Sequence, residues 1–292
     1  MNDNRFQNVP QAQLDVLLKF KDIHPERSIN VGSATWHYLA SGRGPKALLI
    51  LVGGSRMAET AFKLISAFEN EYRVIVPSYP DVMQLSQIEE GVAAILDAEG
   101  VQSVSVLGAS FGGMVAQAFV RRYPQRVEKL ILSNTAGILP AEYVDKLEKG
   151  LKLIGWLPLW LLRSKLRRQI LRHAETFPRA EKSFWEGVLS SIVDHMTKDS
   201  LRSQFATMLD VHERGFKAQD LAGWQGSILV LESGNDLAFP EVMRQSMHNL
   251  YLQAQFVNFP NGGHIPMVTE WEAYNRVIHE FLAEPELELA IS

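Results

Sequence analysis

Unbroken apolar runs alternate along this chain with stretches whose apolar residues recur every three or four positions, and that alternation predicts most of its elements. Residues 46–52 (KALLILV) form a continuous apolar run ending at Gly53-Gly54, the pattern of a strand covered on both faces. Residues 72–76, 101–107, 127–132, 227–231 and 254–259 read as further strands. Residues 27–31 and 34–39 flank Gly32-Ser33 and make an antiparallel hairpin that leads into the sheet. Helical spacing marks residues 10–20, 58–68, 85–98, the segment after Phe111, 240–252 and 269–282.

Strands that alternate with helices imply right-handed crossovers and a mostly parallel sheet, so the expected class is α/β with about eight strands flanked by helices. The rhythm breaks between residues 139 and 216, where no buried-strand run occurs. A gap of roughly 80 residues is too long for a loop in a compact domain. Its four helical stretches, 141–153, 157–173, 181–197 and 200–213, are expected to form a cap over the carboxyl edge of the sheet. The organisation is then a core of 1–138, a helical insertion of 139–216, and a second core segment of 217–292, with a solvated tail after Glu284.

The period switches from strand to helix at one serine, within Gly108-Ala109-Ser110-Phe111-Gly112. A strand-turn-helix with small residues two before and two after the serine is a nucleophile elbow, which makes Ser110 a candidate nucleophile. A serine needs a base, and the base needs an orienting acid. Of eight histidines, His264 lies in the loop Pro260-Asn-Gly-Gly-His264 between the last strand and the last helix, at the same sheet edge as Ser110. His24, His37, His173, His195, His212, His248 and His279 read as satisfied or solvated side chains. Asp236 follows the strand at 227–231 and supplies the acid; Glu232, at the strand's end, is the competitor, and the strand ending at Asn134 offers none. Backbone N–H groups of Phe111 and Gly54 are the expected oxyanion donors.

Composition narrows the function classes. A net charge of -4 gives no basic field for nucleic acid, and the absence of cysteine removes disulfides, thiolate metal sites and a thiol nucleophile. The histidines lack metal-ligand spacing, so no metal is expected, and chemistry through a serine, a histidine and an aspartate requires no organic cofactor. No apolar tract is long enough for a transmembrane segment and the N-terminus lacks a signal-peptide core, so the expected location is cytoplasmic; a homo-oligomer is left open.

The elbow GASFGG, the acid loop SGNDLAFP and the tail NGGHIPMVTEWEAYNRVIHEFL together resemble the α/β-hydrolase superfamily over nearly the whole chain. The resemblance implies Ser110, Asp236 and His264 as nucleophile, acid and base, with Gly54 and Phe111 at the oxyanion. One departure is Val52-Gly53, where many members carry His-Gly. The pieces YRVIVPSYP, GASFGGMVAQ and LILSNT look similar to the maspardin-like group, in which an incomplete triad goes with a binding role; the presence of His264 favours catalysis. A serine at the elbow disfavours the haloalkane and epoxide hydrolysis that related folds perform with a carboxylate. The expected activity is hydrolysis of a small to medium apolar ester. A C–C bond hydrolase, a hydroxynitrile lyase, an acyltransferase or a binding protein are the alternatives.

Trp156 and Trp160, in the insertion, are the candidates for contact with that substrate, with packing within the cap as the other reading. The basic residues that follow, Arg163, Lys165, Arg167, Arg168 and Arg172, read as a solvated face, with docking at an anionic membrane as the other reading.

Overall fold

A computed structural model describes residues 4–284; the expected tail lies outside the described residues. Eight strands form one sheet: β1 Arg27–Val31, β2 Ala34–Ser41, β3 Lys46–Leu51, β4 Tyr72–Ser78, β5 Val104–Ala109, β6 Val127–Ser133, β7 Ser227–Ser233 and β8 Gln255–Phe259. Their spatial order is β1-β2-β4-β3-β5-β6-β7-β8. The β1–β2 and β2–β4 pairs are antiparallel and the other five are parallel. The helices are α1 Gln11–Ile23, α2 Phe62–Phe68, α3 Leu85–Ala98, α4 Phe111–Arg122, α5 Ala141–Trp156, α6 Leu159–Leu171, α7 Arg179–His195, α8 Lys198–Arg214, α9 Glu241–Leu250, the single turn α10 Pro266–Thr269, and α11 Trp271–Ala283.

The central strands explain the architecture. Leu48 to Leu51 on β3, Val106 and Leu107 on β5 and Leu130 to Leu132 on β6 are all buried, so both sheet faces must be covered, and crossover helices do this. The helix α4 is buried from Phe111 to Val120 and crosses close to β3: a Cβ on Gly112 would stand 1.9 Å from the Leu51 carbonyl oxygen. Only glycine permits that approach. The carboxyl ends of β3, β5, β6, β7 and β8 therefore lie side by side along one edge, with their loops gathered above it.

Three expected boundaries move. Arg126 donates to the carbonyls of Val101 (2.7 Å) and Gln102 (2.6 Å), so the strand expected at 101 begins at Val104 and continues to Ala109. The segment 58–61 is a 3-10 turn before α2. Pro158 displaces the start of α6 to Leu159, because the residue before a proline avoids helical geometry; its far end tightens into a 3-10 turn, Arg172–Thr176. The four helices between β6 and β7 occur where the spacing placed them.

Candidate active site

The turn from β5 into α4 holds Ser110 at φ 53° and ψ -122°, a left-handed conformation that non-glycine residues seldom adopt. Three bonds fix it. Its N–H donates to the Ser133 carbonyl at 2.9 Å, while its own carbonyl accepts from the Gly113 N–H (3.0 Å) and the Thr135 hydroxyl (2.7 Å). Such strain persists when the surroundings over-determine it, and it lifts the hydroxyl clear of the sheet edge.

The loop after β8 brings His264 to Ser110, with Nε2 3.0 Å from Oγ. The loop after β7 brings Asp236 behind it, its two carboxylate oxygens 3.1 and 3.0 Å from Nδ1. A carboxylate only accepts, so the Nδ1–H donates to Asp236 and Nε2 accepts from the serine hydroxyl. Asp236 is buried and fully engaged. Oδ1 accepts from the Ala238 N–H at 2.7 Å and the Phe239 N–H at 3.3 Å, and Oδ2 from Asn134 Nδ2 at 3.0 Å. Burial pushes this carboxyl up, but His264, Asn134 and the Ala238 N–H together outweigh it and hold Asp236 below the usual carboxylate range. Glu232 faces elsewhere, with both oxygens 3.2 Å from His248 Nε2.

Gly53 and Gly54 reach the same place from the end of β3: a Cβ on Gly53 would lie 3.2 Å from Ser110 Cβ. Phe111 begins α4, where the backbone N–H has no intrahelical acceptor, and its side chain is buried edge-on to Tyr79. Above these groups is a cavity of about 280 Å³ roofed by α6, α7 and α8 through Leu166, Ile170, Trp185, Leu189, Gln204 and Phe205. Among the described residues lining it there is no Lys, Arg, Asp or Glu. A larger hollow of about 560 Å³, between the first hairpin and the insertion, shares Ser55, Ile192 and Met196 with it but does not reach Ser110. Among the described residues no group of three or more His, Cys, Asp or Glu is placed to hold a metal.

Trp156 and Trp160 do not reach the cavity. They are 89% and 70% exposed and are absent from the cavity lining, because Pro158 turns the chain between α5 and α6 and leaves both rings on the outer surface. The inner aromatic wall is Trp185 and Phe205 instead. Three further side chains were missed. Asn134, which is no acid, has φ 41° and also donates to the Gly263 carbonyl at 3.0 Å, tying the acid loop to the base loop. Gln204 packs on Gly54: a Cβ there would stand 2.6 Å from Nε2. His173 lines the cavity with its ring 4.9 Å from that of His264. A positive-φ requirement at Asn134 was the only signal available in principle; contacts between distant helices and loops leave none.

His173 is kept neutral. Burial, then the neighbouring His264 and Arg172, push its pKa down to about 4 despite Asp236. The unfolded chain takes up this proton near pH 6.5, so between about 6.5 and 4 the unfolded state binds more protons and stability falls as pH falls. In urea unfolding across that window, His173→Phe, which keeps an aromatic ring on His264, is expected to show a shallower decline than wild type. Equal slopes would assign the acid sensitivity elsewhere.

Fold and sequence define the class: the chain belongs to the alpha/beta hydrolase fold family, which its residues 46–270 match. Within it, the chain is similar to a 2-hydroxy-6-oxononadienedioate/2-hydroxy-6-oxononatrienedioate hydrolase of Paraburkholderia phymatum, 24% identical over 85% of this chain and 91% of the relative. In structure it is similar to a hydrolase from Pseudomonas aeruginosa, with a TM-score of 0.74 and 21% identity over 89% of this chain and 98% of that one. It is also similar to the enol-lactonase from Burkholderia xenovorans, with a TM-score of 0.73 and 17% identity over 88% and 100%. Among the described residues no helix is long and apolar enough to cross a membrane.

Proposed function

We propose that this protein is a serine hydrolase of neutral, apolar carboxylic esters. Ser110 Oγ attacks the ester carbonyl as His264 Nε2 takes its proton, and Asp236 holds the imidazolium that forms. The Phe111 and Gly54 N–H groups stabilise the oxyanion, each such donor being worth about 2.7–4 kcal/mol of barrier. Collapse releases the alcohol with the proton from His264 and leaves an acyl group on Ser110. Water, deprotonated by the same histidine, then releases the acid and restores the serine.

The observation that carries the ester reading is the uncharged lining of the cavity over Ser110. A second reading, hydrolysis of a C–C bond, is favoured by the sequence relatives, whose names specify a dienedioate or dienoate. Those substrates carry one or two carboxylates, and bringing a carboxylate into a cavity with no Lys or Arg among its described lining residues leaves a desolvation penalty of several kcal/mol unpaid. A neutral acyl chain incurs none. The continuous hydrogen-bond chain from Ser110 to Asp236 speaks against a pure binding role. Comparing p-nitrophenyl butyrate with a 2-hydroxy-6-oxo-dienoate tests the choice. The expected result is the larger kcat/KM for the ester; a preference for the dienoate would transfer the protein to the C–C class.

A further inference from the structure

The outer surface of the insertion carries a feature that ester chemistry leaves unused. Leu153, Trp156 and Trp160 are 45%, 89% and 70% exposed at the corner where α5 meets α6. From Lys149 to Arg172 the sequence has seven basic residues, Lys149, Lys152, Arg163, Lys165, Arg167, Arg168 and Arg172, and no acidic one, in a chain whose net charge is -4. Five of the seven are exposed, Arg163 and Arg167 being the partly covered pair. Those two fasten α6 to the end of α7: Arg163 donates to the Met196 carbonyl at 3.0 and 2.8 Å, and Arg167 pairs with Asp194.

Helical periodicity sorts the remainder. Lys149, Leu153 and Trp156 share one stripe of α5, at spacings of four and three. On α6, Trp160, Ser164 and Arg168, continued by Arg172 in the 3-10 turn, form an exposed stripe, while Leu162, Leu166 and Ile170 are partly buried against the core. The two sets are offset by two residues, about 200° around the axis, and so lie on opposite faces. Leu166 and Ile170 line the cavity over Ser110. One helix therefore roofs the cavity with one face and presents tryptophan and cations with the other.

We propose that the α5–α6 corner docks on an anionic lipid surface. Exposed tryptophan with aliphatic neighbours suits the boundary between headgroups and acyl chains, and the five exposed cations, of which Asp194 neutralises none because it pairs with Arg167, match anionic headgroups. A second copy of the chain fits poorly, since a two-fold contact through this patch would bring its cations against themselves. Docking would place lipid-dissolved esters about one helix diameter from the cavity; that part rests on the ester reading, whereas the docking itself does not.

Vesicle sedimentation with the full chain tests it, using phosphatidylcholine vesicles and vesicles enriched in phosphatidylglycerol. Binding is expected only to the latter and is expected to weaken in high salt. The double variants W156S/W160S and K165E/R168E should each bind at least about tenfold more weakly. Both should hydrolyse a soluble short-chain ester as wild type does, because none of the four side chains lines the cavity. Equal sedimentation with both vesicle types, or undiminished binding by W156S/W160S, would overturn the proposal. So would a concentration-dependent dimer that K165E/R168E abolishes, which would assign the patch to a second copy, or a preference for single-stranded oligonucleotide over the anionic vesicle. The vesicle readout fails independently of the soluble-ester assay, so loss of the docking proposal and loss of the ester reading are separable.

Discussion

Ser110→Ala is expected to lower kcat on a neutral p-nitrophenyl ester by on the order of 10⁴- to 10⁶-fold, with little change in KM. In the proposed mechanism Ser110 Oγ forms the bond to the substrate, and its hydrogen bond to His264 Nε2 at 3.0 Å has no substitute in alanine. Residual turnover would come from the oxyanion donors and the cavity, which the substitution leaves in place. Alanine at φ 53° carries the same backbone strain as serine, so thermal stability should stay near wild type. Ser110→Gly, which relaxes that strain, provides a second inactive variant. Equal rates for wild type and either variant would end the serine-esterase mechanism.

Asp236→Asn comes next in size, with an expected loss of about 10⁴-fold in kcat. Every neighbour of this carboxylate is a donor: the Ala238 and Phe239 N–H groups, Asn134 Nδ2 and His264 Nδ1. An asparagine amide must turn its NH2 towards one of them. Facing His264, it would force the proton to Nε2 and deprive Ser110 of its acceptor. Facing Asn134, it would set donor against donor in a buried place, at a cost of about 1–3 kcal/mol. Reduced activity with lowered stability is the expected pair of results in kinetics and urea melts. Glu232→Gln should leave kcat/KM unchanged, since Glu232 pairs with His248; an activity loss there instead would reverse the assignment of the acid.

Ser110, Asp236 and His264 were legible because each stands in a loop directly after a strand whose apolar run is recognisable from neighbours alone. Once β5, β7 and β8 are parallel members of one sheet, their carboxyl-end loops have to be adjacent. Glu232 could be separated from Asp236 because a carboxylate at the strand's end would have to be buried, whereas Asp236 is a turn-former in the loop beyond it. The insertion was legible only as helices. Apolar spacing shows that a helix has a face to bury, not what lies opposite, and this is why Trp156 and Trp160 were expected at the substrate and stand on the surface.

The sequence by itself determined the order of the elements, the mostly parallel sheet and the three side chains that meet at its carboxyl edge, all consequences of local periodicity plus the handedness of crossovers. Only the tertiary structure decided what surrounds them. Asn134 became a support for Asp236, His173 came to lie against His264, and the cavity emerged without a charged wall. These outcomes depend on how four helices settle over the sheet edge. That packing is fixed by contacts between residues far apart in the chain, which no local pattern encodes.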